Sequence, residues 1–216
     1  MNLLLIMLLF IISCTETNQK FSSNNKIELF NTSSEITIKD FKNHIGFLAS
    51  DDLKGRASGT FGDEMAKDYI KKFFENASLP TKRTVEIQEH YVPAERKWNL
   101  KPEDMTVKTY NIIATLPGND PILKDEYVVI GGHYDGGAAT AAQLKKLSGD
   151  KIYNNADDNA SGTATVLELF EKYASTNSNK RTLVFILFGG EELGLLGSKY
   201  YVENPTINLN QVQLMI

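Results

Sequence analysis

The chain has 216 residues, 42% of them apolar and 23% charged, enough for one substantial core and ordinary for a soluble globular protein. A formal net charge of −4, with no Lys/Arg stripe, excludes a nucleic-acid binder built on a basic surface. The one cysteine, Cys14, excludes an internal disulfide framework and a thiolate metal cluster.

Residues 3–12 are an unbroken apolar run, too short to cross a bilayer but of the length of a signal-peptide core. The ending Ile11-Ile12-Ser13-Cys14 resembles a bacterial lipobox. The expected organisation is therefore a leader over residues 1–13, a polar tether over 14–34 and a folded domain over 35–216. Lipid on Cys14 would hold the domain at a bacterial cell envelope, on the periplasmic or outer side; without it the protein would be secreted.

Ile36, Ile38, Phe41, Ile45, Phe47 and Leu48 predict a first helix, and residues 50–60 (SDDLKGRASGT) a turn-rich loop. Met65, Ala66, Tyr69, Ile70, Phe73 and Phe74 mark the apolar side of a second helix. Strands are expected at 84–90, 105–116 and 126–130, with a turn at PGNDP (117–121) and Trp98 anchoring a polar connection. A short helix is expected within 138–147. After Asn159 comes a firm helix, with Val166, Leu169 or Phe170, and Tyr173 inward and Glu168, Glu171 and Lys172 towards water. TLVFILF (182–188) reads as a strand covered on both faces, GGEELG as the start of another helix, and 212–216 as one more strand. This alternation predicts a three-layer α/β/α domain with a mostly parallel mixed sheet.

Three strand-end segments collect the polar chemistry. GGHYDGG carries His133 and Asp135, ADDNASG carries Asp157 and Asp158, and GGEELG carries Glu191 and Glu192. In an open α/β sheet, functional groups gather beyond the carboxyl ends of the strands. Taken singly, each acid is an ordinary N-cap and His133 an ordinary surface histidine. Taken together, one imidazole and several carboxylates on one rim need cations to offset their charge. Nitrogen and oxygen donors without thiolates suit zinc at a catalytic site, or else manganese or cobalt. A non-catalytic acidic site and plain helix capping remain open on residue chemistry alone. His44 and His90 are expected in loops or at the surface.

LKGRASGT (53–60), YNIIATLPG (110–118), VVIGGHYD (128–135), IYNNADDNASGTATVLE (152–168) and FGGEELGLLGSKYY (188–201) together resemble the M28 family of zinc-dependent peptidases. The resemblance implies a co-catalytic aminopeptidase that acts on peptide substrates with two zinc ions. It implies His133 as a ligand of the first zinc, Asp158 as the bridge between both, and Glu192 as a ligand of the second. Glu191 resembles the general base, and Asp135 the acid that orients the His133 ring. Family relatives also include glutaminyl cyclases, so a cyclase-like acyl transfer is the alternative, as is a non-catalytic binding protein with a decayed site. The family's later Asp-Met segment and distant histidine have no counterpart here; LNQVQLMI resembles the run leading into the first of them. The resemblance thus covers the N-terminal two-thirds of such a domain and implies weak zinc binding and little hydrolysis.

Overall fold

The computed structural model describes residues 33–76, 78–93, 106–138 and 152–216. The expected leader and most of the tether, Trp98, and all but Ala138 of the short helix expected at 138–147 lie outside the described residues. No helix among those described is long and apolar enough to cross a membrane.

Strand β4 (Thr182–Phe188) is buried at every position, and the sheet is built around it. On one side it pairs antiparallel with β2 (Lys108–Leu116), which pairs antiparallel with β1 (Thr84–Tyr91). On the other side it pairs parallel with β3 (Tyr127–His133), which pairs parallel with β5 (Val212–Met215). The strand order is β1-β2-β4-β3-β5. The sheet is therefore mixed, with two antiparallel and two parallel pairings, and not mostly parallel as expected. Apolar runs in β2 and β4 report burial on both faces, which either strand direction allows.

Alternate residues of β2 and β4 serve two cores, as the two-residue period of a strand requires. Ile112, Ala114, Leu116, Leu183, Phe185 and Leu187 face α1 (Ile38–Leu48), α2 (Phe61–Phe74) and α3 (Ser161–Thr176). Ile113, Val184, Ile186 and Phe188 face the opposite side, where Tyr201 of α4 (Leu196–Glu203) packs. Helices thus flank both faces. β5 lies at the sheet edge, with Leu214, Met215 and Ile216 exposed.

Local signals account for the helix starts. α1 opens on a reciprocal Thr37–Asp40 capping box, and the Thr60 side chain accepts from the Asp63 amide at the start of α2. The apolar side read for α2 is the buried one, from Ala66 to Phe74. GGEELG departs from expectation: residues 191–195 form turns, and the helix begins only at Leu196. Leu195 stands in the left-handed region at φ 63°, which breaks helical continuity before that point.

The largest correction concerns four polar residues. His44 is buried and places its Nδ1 2.7 Å from the Tyr69 hydroxyl and its Nε2 2.8 Å from Glu168 Oε1. Glu168 and Glu171, read as facing water, are both buried between α1 and α3. His90 is also buried, stacked on Tyr200 with ring centroids 5.2 Å apart. A sequence stripe locates the centre of a helix contact but not its width. Here the packed face widened to include Glu168, which pairs with His44 across it, and Glu171.

Burial, with the neighbouring charges of Glu168 and Asp40, raises the Glu171 carboxyl from 4.5 to about 7, against a backbone hydrogen bond from Ser33 that lowers it. The folded state therefore holds this proton more tightly than the unfolded chain, and stability falls as pH rises from about 4.5 to about 7. Glu171→Gln removes that loss. The expected gain at pH 8 is on the order of 1 kcal/mol, discounted for solvent screening, and it vanishes towards pH 4.5. Urea unfolding of both proteins at the two pH values measures it.

Candidate metal centre at the carboxyl ends of β3 and β4

β3 and β4 run parallel with His133 level with Phe188, so the segments that follow them leave the sheet on one rim. His133 closes β3, and Gly189-Gly190 turn the chain after β4 into Glu191 and Glu192. Gly189 has no room for a side chain, because an added Cβ would lie 2.3 Å from Thr109 Oγ1 and 2.6 Å from the Tyr110 carbonyl.

Asp135 is fully buried and organises this rim. It accepts from Ser58 Oγ at 2.6 Å, from the Glu191 amide at 3.2 Å and from the Glu192 amide at 3.3 Å. His133 Nδ1 lies 3.2 Å from the Asp135 carbonyl and 3.5 Å from its Oδ1. When Nδ1 donates to Asp135, Nε2 is left to face the cleft, as a donor in the protonated ring or as a lone pair in the neutral one. Ser58 also accepts from the Gly190 amide at 3.0 Å, which ties the loop at 50–60 to the turn after β4.

The third segment comes from the turn before α3. Asn155 adopts φ 53°, ψ 45°, the left-handed conformation that asparagine tolerates. Its Nδ2 reaches the carbonyls of Tyr153, Gly137 and Gly55 at 2.8, 3.0 and 3.2 Å. A Cβ on Gly136 would strike both the Gly55 carbonyl and Asn155 Nδ2, so this crossing requires glycine. Beyond the turn, Asn159 Nδ2 and Thr163 Oγ1 both donate to the His133 carbonyl, at 3.2 and 3.0 Å. Asp157 lies at the exposed start of the segment, and its carbonyl accepts from Ser161 Oγ at 2.8 Å.

These contacts bring four of the expected site residues to one place. His133 Nε2 faces Asp158 Oδ1 at 3.2 Å and Glu191 Oε2 at 3.9 Å, while Asp135 holds the far side of the ring. Glu192 borders the same cleft: an added Cβ on Gly137 would sit 3.2 Å from Glu192 Oε2. Burial alone would lower the His133 pKa, but bonding to Asp135 and the charges of Asp135, Glu191 and Asp158 outweigh it and raise it. Glu192 is raised above the usual carboxylate range, first by burial and then by Asp158, Asp135 and Glu191. The His133 shift reports an excess of negative charge around the ring, to which the Glu192 shift adds behind its burial.

That excess is a test of fit for a metal. With Nδ1 turned towards Asp135, Nε2 and Asp158 Oδ1 stand 3.2 Å apart, a gap that a proton on Nε2 or a shared cation can bridge. Two donors at zinc–ligand distance in a tetrahedron stand about 3.3 Å apart, which this spacing matches. Donor type and this one spacing fit zinc. No group of three or more His, Cys, Asp or Glu converges tightly enough to hold a metal ion among the described residues.

Asn155→Ala loses both the amide donors and the tolerated left-handed conformation; the expected cost is about 2–3 kcal/mol. Asn155→Gly keeps the conformation and should cost less. Guanidinium unfolding of both variants measures the difference.

Residues 111–216 match the profile of Peptidase family M28. A probable zinc metalloprotease of Pyricularia oryzae is 29% identical over 172 residues, covering 78% of this chain and 32% of that protein. Leupeptin-inactivating enzyme 1 of Streptomyces exfoliatus is 32% identical over 179 residues, covering 80% of this chain and 33% of that protein. Among solved structures, Porphyromonas gingivalis glutaminyl cyclase superposes with a TM-score of 0.61 at 17% identity, over 85% of this chain and 59% of that one. A leucine aminopeptidase precursor from Bacteroides thetaiotaomicron gives 0.59 at 14% identity, over 87% and 62%. At these identities the structural likeness is one of fold. The chain spans about a third of the length of the two curated relatives.

Proposed function

We propose, on the match of residues 111–216 to Peptidase family M28, that the protein hydrolyses peptide bonds by releasing N-terminal residues. The observation that carries this reading is the cleft in which His133 Nε2, Asp158 and Glu191 meet. His133, Asp158 and Glu192 would hold zinc, two ions to the complete site, with Asp158 shared between them. Zinc held there would polarise a scissile carbonyl and bring the pKa of its bound water down to about 7. Asp135 keeps the His133 ring in the tautomer that offers Nε2, and strengthens it as a donor. Glu191 accepts the proton of the attacking water and returns it to the leaving amine. Its carboxylate is suited to that task, being partly open to solvent while its amide is pinned to Asp135. The acids of the cleft also favour a free, positively charged α-amine over an internal peptide bond.

Location enters the same reading through residues 3–12 and Cys14 alone, which favour a lipid anchor at a bacterial cell envelope. Acyl groups on Cys14 are the expected finding in the mass of the mature protein.

The test is turnover of an aminoacyl anilide with added zinc. Hydrolysis should fall about 10³-fold or more in Glu191→Gln while zinc uptake is retained. Cyclisation of an N-terminal glutaminyl peptide, without anilide hydrolysis, would assign the protein to acyl transfer instead. Zinc uptake with neither reaction would assign it to binding.

A further inference from the structure

Arg56 is fully buried, and its side chain is the largest among the fully buried ones of the described residues. Its guanidinium donates to four main-chain carbonyls. Nε reaches Tyr134 at 2.9 Å, one terminal nitrogen reaches Leu48 and, at 2.9 Å, Asn154, and the other reaches Asn155 at 2.9 Å. Those carbonyls belong to three separate places. Leu48 ends α1, Tyr134 stands between His133 and Asp135, and Asn154-Asn155 form the turn that delivers Asp158. The contact is also two-way, since the Arg56 carbonyl accepts from the Gly136 amide at 3.2 Å and Ala57 bridges Gly136 in parallel.

Two further observations set this residue apart from an ordinary core contact. The backbone enters it in a strained state, with Lys54, Gly55 and Arg56 all in the left-handed region at φ 47°, 83° and 57°. For the two residues with a Cβ, that conformation is unfavourable and persists only where surrounding contacts hold it. Arg56 is also a buried cation set behind an acidic cleft, where Asp135, Asp158 and Glu192 favour its charge while burial opposes it. No other side chain has a planar fork that reaches three strands of main chain at once; lysine, a flexible point charge, cannot.

We propose that Arg56 is a positioning residue: its guanidinium sets the main chain at Tyr134 and at Asn154-Asn155 so that His133 Nε2 and Asp158 Oδ1 face each other at ligand spacing. Its value to the chemistry rests on the zinc reading above; the positioning itself does not. Arg56 touches neither of the two facing atoms. It acts through the peptide units on either side of them.

The test begins without metal. Amide hydrogen exchange is followed in wild type, Arg56→Lys, which keeps the charge, and Arg56→Gln, which keeps neither charge nor fork. The expected result is exchange faster by about tenfold or more at Gly136 and Ala160 in both variants, with the amides at the centre of β4 within about twofold of wild type. Zinc is then added alone in competition with a chelator. Its affinity should fall about tenfold in Arg56→Lys, and the visible bands of cobalt(II) in the same site should shift. Unchanged exchange at Gly136 and Ala160 overturns the proposal. Acceleration spread equally through β4, or loss of the fold in both variants, also overturns it, because Arg56 would then serve the whole core. Localised acceleration in a protein that takes up no zinc, even as wild type, upholds the positioning and removes the metal reading instead.

Discussion

A carboxylate cut off from solvent has to find all its hydrogen bonds within the protein, and Asp135 finds them by drawing separate segments together. Ser58 comes from the loop before α2, the amides of Glu191 and Glu192 from the turn after β4, and the His133 ring from the end of its own strand. Loss of any one donor leaves a buried charge short of partners, so the cleft forms as a unit. The parallel register of β3 with β4 makes this possible, because it brings the two strand ends out side by side.

Around that centre, positive charge is supplied from beneath and negative charge gathers on top. Arg56 lies buried below the rim, while Asp158, Glu191 and Glu192 stand around the opening. With Arg56 in place, the charges of Asp135, Glu191 and Asp158 still raise the His133 pKa against its burial. An acidic rim of this kind favours bound cations, and the proposed zinc reading rests on that.

Much of this was legible in the residues. TLVFILF announced a strand buried on both faces, and the spacing from Ala66 to Phe74 announced the inner side of α2. His133, Asp135, Asp157, Asp158, Glu191 and Glu192 stand out because each follows a strand or precedes a helix, where glycine and acid cluster; the preference for Asp158 over Asp157 comes from the family resemblance alone. Strand direction was not legible, since an apolar run is equally at home beside a parallel or an antiparallel neighbour. Nor were the tertiary partnerships. His44 and Glu168 are 124 positions apart and look like surface groups until α1 and α3 meet. Arg56, Ser58 and Asn155 sit in turn-rich stretches whose composition accounts for turns and says nothing of what the side chains reach.

The strand order has a consequence for how the molecule is made. On a ribosome, β2 and β3 emerge well before β4, yet in the finished sheet β4 lies between them. Until residues 182–188 appear, each of the two earlier strands offers an open flank to whatever is nearby, including nascent chains of its own kind. Late insertion of the most apolar strand is therefore the hazardous moment of biogenesis, when a holding chaperone would matter most to yield.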